Sequence, residues 1–302
     1  MKIHVLNHWL KKLGGSETFT YTLIQELKRR GFEVRYYTTQ KGIVSNAIEA
    51  LGVPFIDLPS CSLKAPVFDL ILASHYTMVE AAAVYARGPI IQTVHGTTPK
   101  LEAPSPLASC FVAISEEVKR QLAAKGFKSE VIYNGVDCSR FYPIRPLNDK
   151  VKRVFSLCHS EVLNNMLESI FRKHGIEFVF HNKYKNPVWP IEDEINKSDM
   201  VISLGRGAYE AMACGRPVLV MDQRPYGTLA IDGMITKNNF FYLMQCNCSG
   251  RFFKLTDVEY EVAKALMIYS PELGKDMREL ALLHLNVKNK SLKYLDIWKT
   301  LT

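Results

Sequence analysis

Three short stretches carry residues that could do chemistry. The first is Ser203-Leu204-Gly205-Arg206-Gly207-Ala208-Tyr209-Glu210. Glycines at 205 and 207 let a backbone approach a ligand closely. A helix opening near Gly207 would aim free N–H groups and the positive end of its dipole at an anion, as a phosphate site requires. Arg206 adds a bidentate cation at the same mouth. Glu210, placed in the first helical turn, could accept two hydrogen bonds from a ribose diol. The residues alone also fit a plain strand–glycine–helix turn with a glutamate that complements the helix dipole. A Glu210 locked in a salt link would count against the ribose role. The second stretch is Lys12-Leu13-Gly14-Gly15-Ser16-Glu17-Thr18. Its glycine pair makes a tight turn, Ser16 is a good N-cap, and the amides could face phosphate; an ordinary capped turn is the other reading. The third is Thr93-Val94-His95-Gly96-Thr97, where His95 ends an apolar strand. His75 is similarly placed and carries less weight.

These stretches need elements to hold them. In the first half, Ile3–Leu6, Phe32–Thr38, Phe55–Leu58, Phe68–Ala73, Pro89–Val94, Cys110–Ile114 and Glu130–Tyr133 read as strands. Helical periodicity at Ser16–Arg30, Lys41–Leu51, Tyr76–Ala86 and Glu116–Lys125 falls between them. Apolar strands separated by helices argue for parallel sheets covered on both faces. A proline-bearing stretch, Tyr142–Pro146, is the candidate linker. The alternation then resumes with strands at Val154–Leu157, Phe178–Phe180, Met200–Ser203 and Pro217–Met221, and helices at Glu161–His174 and Ala208–Cys214. From about Pro271 the chain reads as helical. The expectation is two Rossmann-like doubly wound α/β domains, 1–146 and 147–302, facing across a cleft. The final helix is a candidate to cross back to the first domain. Open α/β sheets bind ligands beyond the carboxyl ends of their strands.

The run Glu210-Ala-Met-Ala-Cys-Gly-Arg-Pro-Val218 closely resembles the nucleotide-binding signature of the family 4 retaining glycosyltransferases of the GT-B fold. Phe111–Ser115 followed by Asn134-Gly135-Val136-Asp137 resembles the end of that family's first domain. The Gly14-Gly15 pair and the Val94-His95-Gly96 segment also match its pattern. The resemblance implies that Glu210 binds donor ribose hydroxyls and that the Gly205 and Gly207 turn holds pyrophosphate, with Arg206 at the same mouth. It implies that Gly14 and Gly15 lie near the donor phosphates, with Ser16 and Glu17 toward the acceptor. It makes His95 the candidate for a direct role beside the donor sugar. Two departures stand out. The second glutamate carried by many members, eight positions before Glu210, is Ile202 here. Their Gly-Arg and lysine after the first strand of the second domain are replaced by Leu157-Cys158-His159-Ser160-Glu161.

With 302 residues, 47% hydrophobic and 23% charged, the chain can bury two cores and does not read as disordered. No apolar stretch nears the ~20 residues of a spanning helix. A soluble, cytoplasmic protein is expected, with a peripheral place at a membrane as the alternative. The seven cysteines show no zinc-like spacing, so buried reduced thiols and no metal site are expected. The net charge of +8 leaves anionic acceptors open, nucleic acid among them as a minority idea. The functional expectation is metal-independent transfer of a sugar from a nucleoside-diphosphate sugar, with a UDP-sugar favoured, a GDP-sugar second, and no cofactor. The acceptor is left open between a glycan, a lipid-linked intermediate and a small molecule. Two rivals share the architecture: a sugar-nucleotide epimerase, and a homologue that binds nucleotide-sugar without turnover.

Overall fold

A computed structural model of the chain describes residues 1–56, 68–182, 185, 187–224 and 227–301. It divides into two compact units: Met1–Gly135 with Val287–Thr302, and Val136–Asn286. The division lies ahead of the proline-bearing stretch read as the linker.

The first unit has six parallel strands: β1 (Lys2–Leu6), β2 (Glu33–Tyr37), β3 (Leu70–Ser74), β4 (Ile90–Val94), β5 (Cys110–Ala113) and β6 (Ser129–Val131). Their order is β2-β1-β3-β4-β5-β6. Helices α1 (Gly15–Arg29), α2 (Ile43–Ala50), α3 (Tyr76–Ala83) and α4 (Glu116–Ala124) connect them. Strands β3 and β4 are buried at every position, as strands covered on both faces must be. Helix α1 lays Phe19, Leu23, Ile24 and Leu27 on the sheet. Each such side chain contributes roughly 1.5–3 kcal/mol by leaving water. The strand expected at Phe55–Leu58 lies partly outside the described residues, and its described part makes one bridge, Phe55 to Tyr36.

The second unit has the order β11-β10-β9-β7-β8. Its strands are β7 (Arg153–Ser156), β8 (Glu177–Phe180), β9 (Met200–Ser203), β10 (Val218–Gln223) and β11 (Leu229–Met234). The first four are parallel; β11 runs antiparallel to β10, with a bulge after Val220. Helices α5 (Glu161–Lys173), α6 (Glu192–Lys197), α7 (Arg206–Ala213), α8 (Phe240–Met244), α9 (Val258–Ile268) and α10 (Pro271–Leu280) belong to this unit. The last helix, α11 (Val287–Leu301), belongs to the first unit. There Tyr294 is buried with its hydroxyl 3.0 Å from Thr93 Oγ1, and Trp298 Nε1 donates to the Asp69 carbonyl at 2.8 Å.

In both sheets the winding reverses beside the first strand, β1 in one and β7 in the other. The crevice beyond the carboxyl ends at such a reversal is where open α/β sheets place ligands. In the first sheet this is the end of β1 and β3, which lead into His8 and His75. In the second it is the end of β7 and β9, which lead into His159 and Gly205.

Among the described residues, no helix is long and apolar enough to cross a membrane. The described cysteines are free thiols, all buried except the half-buried Cys110. Cys61 lies outside the described residues.

One buried polar residue breaks the apolar core of β1. His4 is fully buried, with Nδ1 2.8 Å from the Tyr85 hydroxyl and its ring stacked on Phe68 at 4.6 Å. Burial, helped by the Arg35 charge, lowers its pKa to about 3. The unfolded chain binds a proton at His4 near pH 6.5 that the folded chain refuses until about pH 3. Stability from this residue is therefore complete above 6.5 and lost as the pH falls toward 3. Urea titrations across that range should show a slope of ~1.4 kcal/mol per pH unit from this one proton, absent in His4→Phe.

Candidate functional site

The glycine turn of the second unit sits at the end of β9. Gly205 is at φ +55°, the left-handed region that favours glycine. Its own N–H donates to the Cys248 carbonyl at 2.9 Å, so this amide is committed to a neighbouring loop and not offered to phosphate. Gly207 has a packing reason. A Cβ there would stand 2.4 Å from Ser203 Oγ and 3.0 Å from a Leu157 methyl, so glycine lets α7 close on the strand ends. Helix α7 begins at Arg206, and the first-turn amides of Arg206, Gly207 and Ala208 have no partner within the helix. They open at the sheet's winding reversal, where an anion would find them.

Arg206 and Glu210 depart from expectation. Glu210 lies one turn inside α7, not in its first turn. Arg206 is no solvent-facing clamp: it is 7% exposed, with Nε 2.9 Å from Glu210 Oε1. Four-residue spacing on a helix brings the two onto one face. Glu210 is 8% exposed and locked in this buried salt link, which counts against the ribose role expected of it; that role now rests on the carboxylate lone pairs Arg206 leaves open. Burial pushes its carboxyl above the usual range, opposed by the Arg206 and Arg140 charges. A second pair adjoins the first: Arg140 grips Glu192 through Nε at 2.8 Å and Nη2 at 2.9 Å, and stacks over Trp189. Neither Arg140 nor Glu192 was marked by a motif, since 52 residues separate them.

The position eight before Glu210, Ile202, is fully buried inside β9. A carboxylate there would lie in the core, so the missing glutamate has no vacant place at this site. After β7, His159 fills the region of the missing cations. Its N–H donates to Asp222 Oδ1 at 2.8 Å and its Nδ1 lies 3.1 Å from Oδ2.

In the first unit, Gly14 and not Ser16 is the N-cap of α1, and the helix begins at Gly15. Ser16 sits within the first turn, its hydroxyl donating to Glu17 at 2.9 Å. A Cβ on Gly14 would meet the Glu17 carboxylate at 2.2 Å, so that acid folds back over the helix entrance. Space beside Gly15 is open. Asn7 stitches β1 to α1, donating to the Ser16 carbonyl at 3.1 Å and the Thr20 hydroxyl at 2.9 Å.

His95 follows β4, with Nε2 3.1 Å from Ser74 Oγ and its ring edge-on to Phe19. His75, at φ +76°, is a non-glycine residue in a sparsely allowed region, a strain of about 1–3 kcal/mol that the surroundings must hold. His8 joins them: its Nδ1 is 3.0 Å from the Thr77 hydroxyl and its ring centroid 6.3 Å from that of His75. Burial and the His75 charge lower its pKa. Histidines thus stand at the carboxyl ends of β1, β3 and β4. The rule that marked His95 and His75, a histidine just past an apolar strand, also marks His8.

The comparisons with known proteins bear on this arrangement. Residues 13–140 match the profile of Glycosyltransferase Family 4. That match covers 128 of the 302 residues, at the start of the chain. No curated protein matches it in sequence. Among solved structures it resembles HepE of Anabaena in complex with UDP and glucose, at 15% identity over the whole of both chains and a TM-score of 0.63. An α-glucosyltransferase in complex with UDP and a 13-mer DNA containing an HMU base aligns at 10% identity over 99% of each chain, with a TM-score of 0.60. The UDP-GlcNAc 2-epimerase of Methanocaldococcus jannaschii aligns at 14% identity over 94% of this chain and 99% of its own, with a TM-score of 0.52. At these identities the likeness establishes the GT-B fold and no more. Among its described residues, no group of three or more His, Cys, Asp or Glu is placed to hold a metal.

Proposed function

We propose that this chain transfers a sugar from a nucleoside-diphosphate sugar, a UDP-sugar before a GDP-sugar, with retention at the anomeric carbon. The observation that carries the reading is the opening of α7 at the winding reversal of the second sheet. Three helix-entrance amides there are suited to the diphosphate, in a chain whose residues 13–140 match the Glycosyltransferase Family 4 profile. As the leaving diphosphate gains charge, the amides and the helix dipole stabilise it, and this part of the reaction calls for neither metal nor cofactor. Glu210 takes the ribose hydroxyls. A carboxylate has about four lone-pair positions, and Arg206 occupies one of them, so the pair holds Glu210 in one orientation while sharing it. His95 serves the donor sugar, the glycine turn at Gly14-Gly15 serves the donor phosphates, and Ser16 and Glu17 serve the acceptor. The acceptor is a glycan, a lipid-linked intermediate or a small molecule. The described cysteines form no disulfide, which fits a reducing compartment, and we place the protein in the cytoplasm.

Calorimetric titration of UDP, GDP and their glucose conjugates tests the donor. UDP should bind; absence of binding by both nucleotides overturns the reading. The epimerase likeness supports one alternative on the same fold. Product analysis separates the two, because an epimerised free nucleotide-sugar formed without acceptor belongs to that alternative.

A further inference from the structure

We propose that Glu102 is the positioning residue of the first unit: one carboxylate that ties together the strand-end loops carrying His8, His75 and His95. This rests on the reading above for its catalytic consequence, and on geometry alone for its structural one.

The residue follows no motif. It closes a single turn of 3-10 helix, Lys100–Glu102, well beyond β4, and is only 9% exposed. Its Oε2 accepts the backbone N–H of His95 at 2.6 Å. Its Oε1 lies 3.5 Å from His75 Nε2. On the far side of that ring, His75 Nδ1 accepts the backbone N–H of His8 at 3.4 Å. An imidazole nitrogen that accepts a backbone N–H carries no proton, so the proton of neutral His75 sits on Nε2 and faces Glu102. The chain of contacts therefore runs from β4 through Glu102 and His75 to β1, across the winding reversal. It also accounts for the positive φ of His75: the ring is held from both nitrogens.

The charged and titratable groups facing Glu102 are His75 and His95, and beyond them His8. Burial works to raise the Glu102 carboxyl; the bond from His75, the electrostatic pull of the His95 and His75 rings and the bond from the His95 backbone outweigh it, and the group lies below the ordinary glutamate range. It is thus an anion at neutral pH, the state the two bonds require. The turn that presents it is tied down separately. Gln92, buried in β4, donates to the Ala103 carbonyl at 2.8 Å and accepts the Ser105 N–H at 2.8 Å.

Glu102→Gln is the test. The amide can keep an oxygen for the His95 N–H, but then presents N–H groups to the Nε2–H of His75, donor against donor. Imidazole nitrogen spectra of the full chain should show His75 fixed as the Nε2–H tautomer in the wild type and released from it in the variant. With UDP-glucose as probe, UDP release should fall on the order of 10–100-fold in kcat, with KM within about twofold, as expected of a misplaced group that does not bind the nucleotide. Glu102→Asp, too short to span both bonds, should behave likewise. A His75 signal unchanged in Glu102→Gln overturns the proposal. So does unchanged kcat in an enzyme that turns over. If the wild type neither binds UDP nor releases it, the transferase reading falls, and the His75 spectrum alone then decides the role of Glu102.

Discussion

Glu210→Ala should raise the Kd for UDP at least about 100-fold, equivalent to ~2.7 kcal/mol. Two ribose hydroxyls donating to a buried carboxylate make charge-assisted bonds worth roughly 1.5–3 kcal/mol each, and the substitution removes both. The same change takes from Arg206, which is nearly fully buried, its ion-pair partner at 2.9 Å, with the Asp137 charge still acting on it. Removing one partner of a buried ion pair costs up to about 3–5 kcal/mol of stability, the upper end applying when nothing else compensates the charge that stays. The variant should therefore lose both affinity and stability, and Glu210→Gln, which keeps the shape, separates the two. A Gln amide can still bond ribose as a neutral acceptor, so its affinity loss should be nearer tenfold. The decisive contrast is a Glu210 variant that unfolds more readily yet binds UDP as the wild type does in calorimetry. That result would make the Arg206–Glu210 pair a structural brace and remove the ribose role.

His95→Ala should lower the release of UDP from UDP-glucose by about 10²–10³-fold with UDP affinity within about twofold. The loss of one preorganised hydrogen-bonding group aimed at the reacting region has this size. Its selectivity follows from location: His95 belongs to the first unit, and the amides proposed for the diphosphate belong to the second. The ring is held for such a role, by Ser74 at Nε2 and by Phe19 on its flank, with the backbone anchored by Glu102. A parallel rise in the Kd for UDP would instead assign His95 to nucleotide binding. Unchanged turnover would remove it from the reaction. His95→Gln retains part of the hydrogen-bonding capacity and should fall between wild type and alanine.

Much of the architecture was legible because its signals are local. A strand covered on both faces is mostly an apolar run, and β3 and β9 read that way up to their closing serines, while β4 carries Gln92 and Thr93 between apolar ends. Glycine and helix periodicity mark α1, which begins one residue before the start read from Ser16. Strand β11 escaped notice because Asp232 and Gly233 interrupt its apolar pattern at the bulge. The glycines of the Gly205 turn were visible, but not their reasons. Gly207 answers to Ser203 and Leu157, and the Gly205 amide to Cys248. The four-residue spacing of Arg206 and Glu210 was in plain sight, yet spacing says only that two side chains can meet. Burial, a property of the packed helix, makes them a pair.

By itself, then, the sequence determined the α/β class, the glycine turn before α7, the histidines past β3 and β4, and the family resemblance. Each depends on residues close together along the chain. Tertiary structure alone decided that Glu102 holds two histidines, that Arg140 pairs with Glu192, that Ile202 is core, and that α11 packs with the first unit. Those facts follow from strand order and from which helix covers which face. Strand order brings β1 beside β3 while most of seventy residues pass between them, and no local pattern of residue types encodes that adjacency.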